Sequence, residues 1–172
     1  WTKWRGSRAG RFIRFAETYL RLPRGDRAGQ LVKLWTEQKA FAEEWLNGDY
    51  SAGVRGMGRG GSKSTDEAMF SAWDLFEGAD QGAPFVPVVA ASLGQARSSV
   101  YSQIVSMVLA EPALRDRSLV FSGMGTERIL APRTGGQVVP RAADPATLQG
   151  MDIWPGGYGE EIGHIGQATW DA

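Results

Sequence analysis

Four glycines stand within six positions of this chain, at 56, 58, 60 and 61, and are followed at once by Ser62, Lys63, Ser64 and Thr65. Because glycine has no Cβ atom, such a stretch can close around a ligand and adopt the positive φ angles that aim successive N–H groups into one concavity. A concavity of this kind binds anions, and a helix that begins beside it adds the positive end of its dipole. Residues 55–65 therefore predict a phosphate-binding loop.

The residue types after the glycines match the chemistry of a bound triphosphate. Lys63 would place a positive charge on the β and γ phosphates, and Ser64 would offer its hydroxyl to Mg²⁺. The strict pattern GxxxxGK[ST] would place glycine at 57 and 62, where this chain has Met57 and Ser62. A mobile loop rich in glycine and serine, with an incidental lysine, is the alternative interpretation. The predicted nucleotide-binding residues of the loop are Gly58, Gly60, Gly61, Ser62, Lys63, Ser64 and Thr65.

Length and composition predict one globular unit without thiol chemistry. The 172 residues are enough for one domain with a core, and no apolar run approaches the roughly 20 residues that a membrane span needs. The chain has no cysteine, which excludes disulfides, and its single histidine, His164, argues against a histidine metal cluster or a Ser-His-Asp triad. Because the chain begins at Trp1 without methionine, we expect it to be part of a longer protein.

Positive charge is concentrated at the start of the chain although the formal net charge is zero. Ten of the 19 Lys and Arg residues precede position 40, against three acidic residues there. A basic arm of this kind can bind nucleic acid or an acidic partner. A solvated helix face is an equally good explanation.

The periodicity of apolar residues predicts alternating helices and strands. Helices are predicted over 11–21, over 37–46 behind a Thr36 cap, over 64–76, and after Ser92, whose side chain would cap with Gln95. Strands are predicted over 50–54, 85–91 and 119–122, followed by a hairpin around 134–136, and Pro87 suggests a sheet edge or bulge. We predict an α/β fold of the P-loop NTPase type, with a mostly parallel central sheet flanked by helices. Residues 1–48 would form a helical segment on the adenine side, and residues 49–172 the ATPase core.

Gln38 stands on the otherwise apolar face of the second predicted helix, with Phe41, Ala42 and Trp45. A carboxamide on such a face needs hydrogen-bond partners, and it can both accept from and donate to an adenine edge. Gln38 is therefore a candidate adenine-reading residue. A glutamine at the helix boundary that is bonded to backbone is the alternative.

Two adjacent acids, Glu160 and Glu161, follow the glycine-rich run 156–159. At the end of a core strand, one acid of such a pair can hold Mg²⁺ while the other polarises the attacking water. The same run is equally compatible with a flexible loop that carries two solvated glutamates.

Four segments of the chain, in order, are RFIRFAETYLRLPRGDRAGQLVKLWTEQKAFAEEWL, MGRGGSKST, VVAASLGQARSSV and GEEIGHIGQATWDA. Together they resemble the N-terminal ATPase domain of the large terminase subunit of tailed bacteriophages, and the likeness spans nearly the whole chain. Its most specific parts are the opening helix with RFAETYL, the glutamine in WTEQKAF, and an arginine four residues before the loop lysine.

The resemblance implies a motor that hydrolyses ATP to drive double-stranded DNA into a procapsid. The implied partners are the portal protein, the small terminase subunit and further copies of the chain in a ring, all in the host cytoplasm and without a membrane. The coupling motif and the nuclease domain of that family lie beyond the acid pair, so we expect a motor fragment without the nuclease.

The resemblance also assigns roles to single residues. Lys63 and Ser64 would bind phosphate and Mg²⁺, Arg59 would stabilise the γ phosphate, and Gln38 would read adenine. Glu160 takes the place of the usual metal-binding aspartate, and its extra methylene can shift metal geometry by about an ångström. Glu161 would be the catalytic base that orients water for in-line attack.

Two other functions fit the same sequence. One is a non-hydrolysing DNA-docking or scaffold module whose phosphate loop has degenerated. The other is a helicase-like ATPase that DNA stimulates and that acts outside packaging.

Overall fold

The computed structural model describes residues 4–58, 60–77, 82–153 and 155–160. The helices are α1 (Arg8–Tyr19), α2 (Thr36–Asn47), α3 (Lys63–Glu77), α4 (Leu93–Ala96), α5 (Ser102–Ala110), α6 (Pro112–Arg115) and α7 (Pro145–Leu148). The strands are β1 (Phe85–Ala90), β2 (Leu119–Phe121), β3 (Arg128–Ala131), β4 (Gly136–Ala142) and β5 (Tyr158–Gly159). Within the described ranges, no helix is both long enough and apolar enough to cross a membrane.

The five strands form one mixed sheet in the order β2-β3-β4-β1-β5. β1 runs parallel to both β4 and β5, whereas β3 is antiparallel to β2 and to β4. The prediction of a mostly parallel sheet is therefore wrong, although the α/β class is confirmed. The physical reason is the four-residue connection 132–135, because a link this short can join only antiparallel neighbours.

The strand predicted over 50–54 does not form, and residues 49–58 of the described chain contain no strand. The backbone here packs against α2 instead of the sheet. The Tyr50 ring stacks on Trp45 with centroids 6.2 Å apart, and a Cβ on Gly53 would lie 2.5 Å from the Trp45 ring. Val54, the last residue of the predicted strand, is 77% exposed. The loop is therefore reached from α2 without an intervening strand.

Helix boundaries differ from the predictions by up to three residues. α1 begins at Arg8 because the Ser7 hydroxyl accepts the Gly10 N–H at 3.0 Å. Thr36 is the first helical residue of α2 and not its cap. The Ser92 cap is confirmed, since its hydroxyl accepts the Gln95 N–H at 3.2 Å. The helix that follows it is divided by a π-helical turn at Arg97–Tyr101.

α3 lies at the centre of the core. Its second half is buried on all sides, and Trp73 is fully buried. On one face, Phe70 stacks on Phe12 of α1 with ring centroids 4.4 Å apart. Phe15 of α1 meets the Trp73 ring edge-on at 5.5 Å. Aromatic burial on this scale dominates core energetics, so α1 and α3 form one packed unit.

A polar cluster on another face of α3 holds β5 in place. The Tyr158 hydroxyl donates a hydrogen bond to the Asp74 carboxylate, and Arg8 of α1 lies 3.6 Å from the same carboxylate. Burial raises the pKa of Asp74 to about 6, although the Tyr158 hydrogen bond and Arg8 act in the opposite direction. β1 thus has a paired strand on each side, β4 and β5. Pro87 lies just before Val88 and Val89, the two residues of β1 that pair with β5.

We expect stability to depend on the ionisation of Asp74. The folded-state pKa of about 6 lies above the ordinary value of 3.8, so the folded state binds more protons between these values. Its contribution to the free energy of unfolding is therefore full below pH 4 and is lost as the pH rises through 6. Between pH 4 and pH 7, the free energy of unfolding of wild type should fall by up to about 3 kcal/mol relative to that of Asp74→Asn, as measured by urea unfolding.

Asp116→Asn serves as the control, because this aspartate is exposed and pairs only with its neighbour Arg115 among the described residues. A difference between wild type and Asp74→Asn that stays constant across this pH range would contradict the assignment.

Candidate functional site

The glycine loop makes a tight turn and then enters α3. The Gly61 N–H donates to the Gly58 carbonyl at 3.1 Å, Gly60 has a φ of 78°, and Lys63 is the first helical residue. A Cβ placed on residue 56, 58 or 60 would meet no atom within 4 Å. These glycines are therefore not needed for packing, and the space beside them is available to a ligand.

Ser62 occupies the position where the strict pattern has glycine, and its backbone adopts the conformation that favours glycine. Its φ is 64°, which among the described residues other than glycine is the one positive value. Two hydrogen bonds hold its hydroxyl, which donates to Asp66 Oδ1 at 3.1 Å and accepts from Gln38 Nε2 at 3.2 Å. The departure from the pattern has thus kept the backbone geometry.

Gln38 joins α2 to the end of the loop. Its Oε1 accepts the Trp35 N–H at 2.9 Å, and its Nε2 donates to Asp66 Oδ1 at 2.6 Å as well as to Ser62. Both the oxygen and the nitrogen of the buried carboxamide thus bond to groups of the protein. The bond to the Trp35 N–H is the kind expected if Gln38 is a helix-boundary glutamine bonded to backbone. Its role as an adenine reader stays a prediction. Both N–H groups of Nε2 are already used, whereas Oε1 accepts one hydrogen bond and could accept a second from a base.

Asp66 is the centre of this cluster, and the sequence analysis did not identify it. It is 4% exposed, and it also pairs with Arg55, whose guanidinium lies 4.3 Å from the Phe41 ring centroid. Burial raises the pKa of Asp66, while Gln38, Arg55 and Ser62 act to lower it. Its spacing of four residues from Ser62, in the first turn of a helix, was the available signal.

Glu160 lies against the start of α3, where Ser64 donates a hydrogen bond to its Oε1. The Glu160 N–H donates to the Val89 carbonyl at 2.9 Å, which continues the pairing of β5 with β1 beyond Gly159. The glycine-rich approach therefore includes a strand of two residues, and Glu160 is 9% exposed instead of solvated. Arg59 and Glu161, the predicted γ-phosphate and catalytic residues, lie outside the described residues.

Glu67 is a second carboxylate beside Ser64 and Glu160. Its pKa is raised to about 8, first by burial and then by repulsion from Glu160 and Asp66, while the charge of Lys63 lowers it. Oε2 of Glu67 and Oε2 of Glu160 are both buried and have no hydrogen-bond partner among the described residues. Lys63 itself is exposed at the mouth of the loop.

A cleft of about 410 Å³ lies between the segment 22–35 and the junction of loop and helix. Ser62 and Thr65 form its floor beside the loop, and Trp35 lies at its edge with 52% of its surface exposed. The opposite wall carries three exposed basic residues, Arg24, Arg27 and Lys33. The Thr65 hydroxyl donates to Gln103 Oε1 at 2.7 Å, so Thr65 is tied to α5. The cleft thus brings three basic side chains and one acidic side chain, Asp26, into one space with Ser62 and Thr65.

The basic arm is neither a simple solvated face nor wholly free. Arg11 pairs with Glu77 at 2.8 Å, Arg8 approaches Asp74, and the Arg14 guanidinium lies 5.4 Å from the Trp4 ring centroid. Two of these charges, those of Arg8 and Arg11, therefore attach α1 to α3.

The described residues contain no group of three or more His, Cys, Asp or Glu side chains that could hold a metal ion. The candidate metal ligands near the loop are the Ser64 hydroxyl and the two carboxylate oxygens without a partner, Oε2 of Glu67 and Oε2 of Glu160. Oxygen ligands of this type suit Mg²⁺.

Comparison with solved structures shows a similar fold in the crystal structure of the HK97 bacteriophage large terminase. The similarity has a TM-score of 0.65 and a sequence identity of 21%, and it covers 81% of this chain and 28% of that one. The chain thus spans about a quarter of the length of the terminase that it matches. No protein-family model matches the chain, and neither does any curated protein sequence.

We expect Gln38→Ala to lower the free energy of unfolding by about 1–3 kcal/mol. The substitution removes one of the three side chains that bond to the buried carboxylate of Asp66, and it leaves the partly buried Trp35 N–H without its acceptor. Chemical denaturation measures the loss, and Gln149→Ala, at an exposed glutamine, is the matched control. A Gln38→Ala protein as stable as wild type would show that these hydrogen bonds do not hold the loop.

Proposed function

We propose that this chain binds ATP with Mg²⁺ at the loop 58–65 and hydrolyses it as a motor for packaging viral DNA. The observation that carries this proposal is the junction of loop and helix. The glycine turn passes through the left-handed Ser62 into the first turn of α3, which presents Lys63 at the opening and Ser64 in contact with Glu160. Backbone N–H groups and a lysine at such a helix start suit a triphosphate.

The cleft beside the loop provides room for the nucleoside. Its volume of about 410 Å³ falls in the usual range for small-ligand sites, and it opens directly onto Ser62 and Thr65. The exposed Trp35 ring offers a flat apolar surface for a base, and Arg24, Arg27 and Lys33 provide positive charge for the phosphates. In this proposal the base stacks on Trp35, while Gln38 holds the loop in shape.

Ser64 and Glu160 are the residues that would hold Mg²⁺, and the unpartnered Oε2 of Glu160 fits that role. When bound, Mg²⁺ supplies positive charge that offsets the negative charge of the phosphates. Lys63 adds to this charge from the loop, and Arg59 is assigned to the transition state. Glu161, next to Glu160, is assigned to orient the water that attacks the γ phosphate.

The assignment to DNA packaging is supported by the fold, which is similar to that of a phage large terminase. The resemblance of the segments containing Gln38, Lys63 and Glu160 to the ATPase domain of that family points the same way. On this proposal the partners are double-stranded DNA, the portal protein, the small terminase subunit and neighbouring copies in a ring. The site of action is the procapsid portal in the host cytoplasm.

Lys63→Ala should weaken the binding of a fluorescent ATP analogue in the presence of Mg²⁺ by about 10- to 100-fold. The expectation follows because a hydrogen bond from a charged group contributes about 1.5–3 kcal/mol. Lys39→Ala, which removes a half-buried lysine of α2 that pairs with Glu17 at 2.9 Å, should leave the affinity unchanged. Wild type that fails to bind the analogue, or Lys63→Ala that binds it equally well, would contradict the proposal. Binding without hydrolysis, in the presence of DNA and portal, would favour the scaffold function instead.

Trp35→Ala should weaken ATP binding by about tenfold while leaving the binding of inorganic tripolyphosphate unchanged. Stacking of a base on an aromatic ring contributes about 1–3 kcal/mol, and tripolyphosphate has no base to stack. Calorimetry on both ligands measures the two effects, with Met124→Ala as a control at an apolar residue that is 90% exposed. Equal losses for the two ligands would show that Trp35 does not contact the base.

A further inference from the structure

We propose that Glu67 is a second carboxylate ligand of the divalent cation at Ser64 and Glu160, and that this site binds the cation without nucleotide. The assignment rests on the function proposed above and deepens it, because the cation is the one that accompanies the triphosphate. Glu67 lies outside the GxxxxGK[ST] pattern, so the pattern gives it no role.

The packing of α3 against residues 158–160 brings Glu67 and Glu160 near each other. Tyr158 stacks on Phe70 and donates to Asp74, whereas Glu160 contacts Ser64, nearer the start of α3. The chain therefore runs along the helix towards its beginning between 158 and 160. Glu67 lies between these two contact points and, three residues after Ser64, on the same helical face.

Both carboxylates have an oxygen atom that the described protein leaves without a partner. Glu160 is 9% exposed, and one of its oxygens accepts from Ser64 while the other, Oε2, is buried and unbonded. Oε2 of Glu67 is likewise buried and unbonded. A buried carboxylate oxygen without a partner is costly, so each of these two oxygens indicates that a positively charged group belongs next to it.

A divalent cation satisfies this arrangement better than Lys63 does. The lysine lies exposed at the mouth of the loop and carries one positive charge, whereas the two carboxylates carry two negative charges when ionised. The pair together with the Ser64 hydroxyl offers three oxygen ligands, and Mg²⁺ fills its remaining positions with water. Glu67 would coordinate the cation directly or through one of these waters. Once Glu67 is ionised, the two carboxylates supply the negative charge with which the site holds a cation before a phosphate arrives.

The test is a titration of the nucleotide-free chain with Mn²⁺, followed by electron paramagnetic resonance. We expect one bound Mn²⁺ per chain in wild type and at least about tenfold weaker binding in Glu67→Gln. Glu43→Gln, at an exposed glutamate of α2, should bind as wild type does. Thermal unfolding gives a second readout, in which a given Mn²⁺ concentration raises the Tm of wild type by more than that of Glu67→Gln.

The folding of the variant is checked in the same experiment. Because Gln carries no charge to bury, Glu67→Gln in metal-free buffer should unfold at or above the wild-type Tm. Equal Mn²⁺ binding by wild type and Glu67→Gln would overturn the proposal, as would Mn²⁺ binding by wild type only together with ATP. The latter result would leave the nucleotide site intact. A wild-type chain that does not bind ATP, but that binds Mn²⁺ more tightly than Glu67→Gln does, would instead overturn the nucleotide function and support the cation site.

Discussion

The buried carboxylate of Asp66 is the interaction on which the geometry of the loop depends. It accepts hydrogen bonds from Gln38 of α2 and from Ser62 at the loop end, and it pairs with Arg55 on the approach to the loop. A charge that is 4% exposed is stable only when such partners surround it. Because the partners come from three segments, this one carboxylate fixes how α2, the loop approach and the start of α3 meet.

The same helix also carries the other interactions that shape the site. Its later turns are held by aromatic contacts with α1, while Asp74 binds Tyr158 and so places β5. This placement brings Glu160 to Ser64 from a distant part of the sequence. The loop and Glu160 are thus positioned by two faces of one helix, α3. A binding site built on a helix in this way can hold its groups in a precise geometry.

Local patterns predicted the helices and the hairpin well, because those elements depend on apolar spacing and turn residues. They failed at the strand over 50–54, where Tyr50 and Gly53 pack against Trp45. They also failed at the mixed sheet, because strand direction depends on which strands become neighbours. In the site, the loop and the proximity of Ser64 to Glu160 followed from the motif and the family resemblance. The contacts of Asp66 and the position of Glu67 required the packed structure, since long-range partners leave no periodic trace in the sequence.

The proposed function depends on the binding of a triphosphate at the junction of this loop with α3. A crystal structure of the chain with a non-hydrolysable ATP analogue and Mn²⁺ tests it most directly. We expect phosphate oxygens at hydrogen-bond distance, about 3 Å, from backbone N–H groups of residues 60–64 and from Lys63 Nζ, with the anomalous Mn²⁺ signal beside Ser64 and Glu160. A nucleotide bound elsewhere, or a loop that stays empty at saturating analogue, would contradict it.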